Sequence, residues 1–305
     1  MQLQRHHWVD LTFTWRGSVL PNVLPRVVFY GVLAWVVVLV HRYWMPLPPF
    51  HLATLAVEVV VGSLLFFRTN TAYDRFWEGR KAWGMLVNSA RNLALHLSVM
   101  VEEAGPRDRQ AKEEAVRWVI AYAITLKNHL RGRSSLEELQ GLLSRDRLFQ
   151  LAQAEHRPLT IAFWLADYLR WQSQQQRLTS YQFIGLERRL SELVDALGIC
   201  ERIRRTPQPL AYSVHLRHIL ILYCLSFPFR LVSQLGWGVI PATAIAAFVV
   251  LGIEEIALEI ENPFGDDPND LPLEQLCQVI QRDLEALLQL ASSQQWTVAV
   301  PPTPR

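Results

Sequence analysis

The stretch that decides the fold is Thr54–Asn92, TLAVEVVVGSLLFFRTNTAYDRFWEGRKAWGMLVNSARN. It opens apolar, with Glu58 as its lone charge before Arg68, and then turns into a dense mixture of Arg, Asp, Glu, Trp and Asn. No proline interrupts it and its glycines are single. A continuous helix that leaves an apolar layer and enters a polar, aromatic-rich one is the simplest reading. Within the apolar half, Val59, Ser63 and Phe67 recur at i, i+4 and i+8 and share one helix face, drifting by about 40° per step. Glu58 projects to the face opposite Phe67. A carboxylate in such a layer is either functional or paired with a neighbouring helix, and pairing is the expectation.

Upstream, Val27–Val40 (VVFYGVLAWVVVLV) is uncharged and stops at His41-Arg42; Tyr43-Trp44-Met45 brings it close to a bilayer's thickness. The turn MPLPPFH ends that helix. Residues before Pro25, with Trp8, Phe13 and Trp15 beside Arg5 and Arg16, read either as a membrane-surface segment or as a packed arm. Downstream, Leu216–Ile253 is a second apolar block, with a hairpin tip at Gly236-Trp237-Gly238. The expected apolar helices are therefore about 26–45, 50–68, 214–232 and 236–254.

Between and after these lie polar helical stretches, at 69–205 and 255–290, broken at Ala104-Gly105-Pro106. Glu113–Leu130 is amphipathic and too polar to span alone, Ser134–Glu138 resembles a helix start, and Pro158–Trp171 and Thr179–Leu197 add two helices. The run WQSQQQR reads as a polar turn or a solvated helix end. The whole is an all-α membrane protein read as one domain over 1–290, with a disordered tail at 291–305.

Composition agrees. Half of the 305 residues are hydrophobic, and 11 are Trp. The mean hydropathy of +0.11 lies between a soluble domain and a pure transporter. A net charge of +2 carries no nucleic-acid footprint. Cys200, Cys224 and Cys277 are scattered, which suits packing or a reducing compartment rather than a disulfide framework or zinc site. No cleavable signal peptide is visible. Positive charge before Val27, after Phe67 and around Arg202–Arg205 places both termini and the polar helices in the cytoplasm, with Arg42 a weak exception. There is no HExxH, GxSxG or phosphate loop, and His6-His7 and His215/His218 lack metal spacing with carboxylates, so an enzyme is not expected.

FRTNTAYDRFWEGRKAWGMLVNSARN resembles the signature of the bestrophin family in its bacterial and plant branch, FRTNxSYxRWWEARxxWGxLVNxxRN. The departures are conservative: Ala72 for Ser, Phe76 for the first Trp and Gly79 for Ala. GIEEIALEIENPFGDDPNDLPLEQLCQVIQRDL is similar to the family's C-terminal element, and Leu210–His218 also resembles it.

The resemblance implies a pentamer around one axial pathway in a lipid bilayer, with small inorganic ions as cargo and a narrow apolar neck at Val59, Ser63 and Phe67. Such rings strip hydration from an ion and gate by dewetting. Ser63 departs from the family's bulky apolar residue at mid-neck, so a wider or wetter neck is expected. Beyond the neck, Asn70, Tyr73 and Trp77 accompany a basic collar of Arg68, Arg75 and Arg80, which Asp74 and Glu78 neutralise as buried ion pairs in the favoured reading. Asn70 and Asn92 are expected hydrogen-bonders. The calcium loop of animal members falls on Asn262, Asp267 and Asp270; Pro268 and Asn269 interrupt its acidic run, and a helix N-cap is the alternative and favoured use. A passive anion channel with chloride as permeant, and no resident cofactor, is the expected function. A cation-conducting relative and a non-conducting membrane scaffold are the alternatives.

Overall fold

The computed structural model describes residues 17–48 and 54–293. Trp8, Phe13, Trp15 and His6-His7 lie outside the described residues, as does all but the start of the expected tail. The described residues form α-helices joined by short turns, without a strand among them: α1 Leu20–Leu39, α2 Thr54–Met100, α3 Pro106–Leu130, α4 Arg145–Gln153, α5 Arg157–Gln174, α6 Ser180–Arg205, α7 Leu210–Leu235, α8 Val239–Glu261 and α9 Leu273–Ser293.

The chain forms two compact units, each discontinuous in sequence. The first comprises 1–78 and 206–270, and the second 79–205 and 271–305. Helix α2 is uninterrupted, as its lack of proline dictates; its 47 residues correspond to about 70 Å of helix. Helix α1 starts earlier than expected, with Pro21 in its first turn where a missing N–H costs nothing, and it ends in a π-helical turn at Val40–Trp44.

In the first unit α1 packs along α8 and α7. Val23 and Tyr30 meet Cys224, Ala247 and Leu251, while Ala34, Val37 and Val38 meet Val232 and Val239. Val61 and Leu65 of α2 pack on Leu216 and Leu220 of α7. The outer faces are apolar as well, with Phe29, Trp35, Leu222, Ile245 and Phe248 exposed. Helices apolar on both faces suit lipid surroundings. By length and apolarity, Leu20–Trp44 and the hairpin Leu210–Glu261 are able to cross a bilayer, and the opening of α2 is not among the stretches that pass by this measure. The hairpin turns at a single 3₁₀ turn, Gly236–Gly238, where Gly236 takes φ 51, a left-handed value that favours glycine.

In the second unit α3 is central, with α5, α6 and α9 packed against it. Sequence periodicity suggests an amphipathic α3, yet every residue from Trp118 to Asn128 is buried. Several of its polar groups there find partners: Thr125 donates to Ala121 O, and Lys127 and Asn128 both reach Glu138. Ser134–Glu138 yields only a 3₁₀ turn at Glu137–Leu139, and the next helix is α4, capped by Ser144. Helix α6 runs on to Arg205 because Cys200 and Ile203 extend its buried stripe. Gln172, expected in a polar turn, is fully buried on α5.

Candidate functional site

Val59, Ser63 and Phe67 are all exposed on α2, whereas Val61, Leu65 and Arg68 of the same helix are buried. The helix thus has a packed side, held by α7, and an apolar side that this chain leaves uncovered; Val59 and Phe67 are 59% and 61% exposed. Thr69 and Thr71 return their hydroxyls to the carbonyls of Leu65 and Phe67, one turn earlier, at 2.9 Å. Among the described residues Ser63 forms no such bond and is exposed. Phe67 stands edge-to-face with Phe66, centroids 5.9 Å apart.

Where α2 leaves the apolar stretch, Arg68 is 2% exposed. Its guanidinium donates to Glu261 Oε2 at 2.7 Å and to the Gln208 side-chain carbonyl. Gln208 N–H closes the triangle on Glu261 Oε1 at 3.1 Å. Arg75 Nε donates to the Glu261 carbonyl at 3.1 Å, and its Nη1 donates to the Thr206 carbonyl. This corrects the expected pairing of Arg68 with Asp74 or Glu78: its carboxylate comes from the end of α8, far along the chain, where spacing on α2 gives no signal. Glu78 acts on Arg75 through its charge. Asn70, Tyr73, Asp74 and Trp77 are exposed on α2, and Asn92 is half-buried. Arg80, in the second unit, is exposed and lies back over Gly84.

Glu58 meets Arg230 of α7 at 2.7 Å. Arg230 is buried, with its guanidinium 5.9 Å from the Tyr223 ring centroid and 5.8 Å from that of Phe227. Arg230 separates two uncharged runs and is the charge that the Glu58 carboxylate answers. Two further ion pairs, Arg26–Glu255 at 3.0 Å and Arg217–Glu254 at 3.4 Å, join α1 and α7 to α8.

The NPFG segment forms a turn closed on itself. Asp270 Oδ2 accepts the Asp267 N–H at 2.7 Å, and Asn269 Nδ2 donates to Glu259 Oε2 at 2.7 Å and to Gly17 O at 3.1 Å. A Cβ at Gly265 would lie 2.5 Å from Asp270 Oδ2, so a side chain there would push the Asp270 carboxylate from its place in the turn. The favoured N-cap use is corrected too: α9 begins at Leu273, after Pro272, and Asp270 serves the turn instead. The carbonyl carrier Asn262 ends α8. A hard cation needs several oxygens aimed at one point, and here Asp270 is turned onto a backbone N–H.

Ligand-type side chains converge elsewhere, at His129, His156 and Glu201 in the second unit. These three lie on separate helices, so no spacing in the chain announces them. Burial would raise the Glu201 carboxyl, but hydrogen bonds from His129 and His156 and the nearby Arg205 outweigh it and hold Glu201 below the usual carboxylate range.

The family model described as Bacterial/Fungal Bestrophin protein matches residues 1–286. A protein of Nostoc sp. named voltage-dependent anion channel-forming protein alr2987 is 45% identical over 291 residues, covering 95% of each chain. The Synechocystis protein of the same name, sll1024, is 43% identical over 287 residues, covering 93% of this chain and 92% of its own. A crystal structure of a bacterial bestrophin homologue from Klebsiella pneumoniae superposes with a TM-score of 0.81 at 25% identity, covering 88% of this chain and 98% of that one.

Proposed function

The chain belongs to the bacterial and fungal bestrophin family, and on that premise we propose that it is a passive anion channel, pentameric, with chloride as its permeant ion. It is an integral membrane protein, and its work is on inorganic ions rather than on a chemical bond.

One observation carries the reading: α2 is packed on one side and leaves Val59, Ser63 and Phe67 uncovered on the other. A single helix cannot enclose a path, so this face needs copies of itself, and a closed ring of five supplies them. Rings of Val59 and Phe67 then form the apolar constriction, with Ser63 as its wet middle. The names of the Nostoc and Synechocystis relatives support anions as cargo. Arg68 spends its charge on Glu261, so its part is to fix the pathway's inner end rather than to gather anions. Both termini and the second unit face the cytoplasm in this reading, following the positive charge around Arg202–Arg205. Asn262, Asp267 and Asp270 act as the closure of a turn.

The test is current through purified protein in a planar bilayer under a potassium chloride gradient. A reversal potential near the chloride equilibrium value is expected. A value near that of potassium overturns anion selectivity in favour of cation conduction, and absence of current overturns the channel in favour of a scaffold. Native mass spectrometry in detergent reads the stoichiometry; a dominant monomer or dimer removes the five-fold pathway.

A further inference from the structure

Three helix ends of the second unit meet at one point. His129 lies in the last turn of α3, His156 caps the start of α5, and Glu201 lies near the end of α6. His129 Nε2 is 2.6 Å and His156 Nε2 3.0 Å from the same oxygen, Glu201 Oε1, and the three ligand atoms lie within 4.8 Å of one another. The imidazole rings stack, centroids 4.8 Å apart and planes inclined by 29°. We propose that His129, His156 and Glu201 form a binding site for one divalent transition-metal ion of the zinc type, held by two imidazole nitrogens and one carboxylate oxygen.

The donor set fixes the class of ion. Imidazole with carboxylate suits zinc and its first-row neighbours, whereas magnesium and calcium prefer oxygen alone. A tetrahedral ion with bonds of about 2.0–2.1 Å holds its ligand atoms about 3.3–3.4 Å apart. To reach that spacing the 2.6 Å contact opens by about 0.7–0.8 Å and the 3.0 Å contact by about 0.3–0.4 Å, while atoms up to 4.8 Å apart draw together, shifts that side-chain torsions at three helix ends supply. Three protein ligands leave a fourth position. A cavity of about 320 Å³, lined in part by His129, Asn128, Arg133 and Arg157, lies beside the His129 ligand and has room for water or a small anion.

The neighbouring cations do not close the site. Arg205 lies 3.5 Å from Glu201 Oε1, but its side chain is 70% exposed and swings into water at little cost. Arg204 donates to the His129 carbonyl at 2.5 Å and steadies the end of α3. His156 Nδ1 accepts the Leu159 N–H at 3.4 Å, a long contact that is released when metal binds Nε2 and the ring proton sits on Nδ1. A bound ion would tie the ends of α3, α5 and α6 together, whether or not the protein conducts.

The experiment uses the full chain in detergent, freed of any histidine tag and stripped with chelator. Cobalt(II) is titrated while its visible ligand-field bands are followed, and zinc is then added in competition. One saturable equivalent per chain, displaced by zinc and weakened at least about tenfold in both Glu201→Gln and His156→Asn, is expected. No saturable band, or bands unchanged in both variants, overturns the site. X-ray absorption at the zinc edge of the wild-type protein decides independently of how the variants fold. Scattering from two imidazoles is expected, and a shell without imidazole overturns the site.

Discussion

The Glu58 carboxylate accepts a hydrogen bond from the Arg230 guanidinium at 2.7 Å, across 172 residues of sequence. The two ends are unequal: the Arg230 side chain is 5% exposed and that of Glu58 is 44% exposed. Removing the carboxylate therefore strands a buried cation, whereas removing the guanidinium leaves a carboxylate that keeps partial access to its surroundings. Glu58→Gln is expected to destabilise by about 3 kcal/mol, the low end for breaking a buried pair because Glu58 is half open. Arg230→Met should cost less, and the double variant should recover part of the loss. Thermal unfolding in detergent reads all three; equal losses in both single variants would mean that burial does not set the asymmetry.

At mid-neck, Ser63 has the hydroxyl that Thr69 and Thr71 spend on carbonyls. Ser63→Ile replaces it with apolar bulk and should lower single-channel conductance while sharpening the preference between small and large anions. Ser63→Ala keeps the space and removes the hydroxyl, so a smaller drop is expected. Unchanged conductance in both variants would take Ser63 off the pathway and leave Phe67 as the controlling side chain.

Lys127 is wholly buried, and its ammonium reaches Glu138 and, at 2.9 Å, Glu274. Burial pulls the Lys127 amine down, but its hydrogen bonds to the two carboxylates outweigh this and raise it above 10.5. Burial likewise pushes Glu138 up, and the bonds from Lys127 and Asn128 outweigh it and bring it below 4.5. The Glu138 contribution is therefore present above the ordinary carboxylate range and lost as pH falls through its depressed value. The Lys127 contribution is present below the ordinary amine value and lost as pH rises through its raised one. Stability from this cluster should be flat from neutral to mildly alkaline pH and fall on both sides. The double variant Glu138→Gln/Glu274→Gln strands the ammonium and is expected to cost about 3–5 kcal/mol, more than Lys127→Met, whose two carboxylates are 39% and 50% exposed. Denaturant melts across pH would show otherwise if Lys127→Met proved the costlier.

Calcium chelation addresses the turn at Asn262, Asp267 and Asp270. Its bonds are internal, so EGTA should leave both current and melting temperature unchanged. Asp270→Ala, which frees the Asp267 N–H, is expected to cost about 1–3 kcal/mol. A melting temperature that falls with EGTA and recovers with added calcium would make the turn a cation site.

Much of this is legible in the sequence. The switch from LAVEVVVGSLLFF to RTNTAYDRFWE has no helix breaker, and α2 runs unbroken through it. The apolar legs and the Gly236-Trp237-Gly238 tip were equally plain, because local hydropathy and glycine placement set both. Partners were not legible. Arg68 finds Glu261, and Glu201 finds two histidines, across separations that no periodicity spans. Burial of α3 on all sides from Trp118 to Asn128 is hidden for the same reason: its polar residues look outward-facing until the carboxylates that answer them are placed. The short α4 leaves no such mark, because nine residues carry too few turns for a stripe to stand out.

The interleaving of the two units sets an order of events during biosynthesis. Residues 1–78 leave the ribosome first, but 79–205 must follow before the remainder of their unit, 206–270, is made. At about 5–20 residues per second, Arg230 emerges on the order of ten seconds or more after Glu58. Until then Glu58 waits in an apolar helix without its cation, while 79–205 already has most of its own partners at hand. Lys127 waits in turn for Glu274, which arrives later still. Helix α9 therefore arrives after most of its unit has been made, and the buried Lys127 holds Glu138 alone until Glu274 joins it.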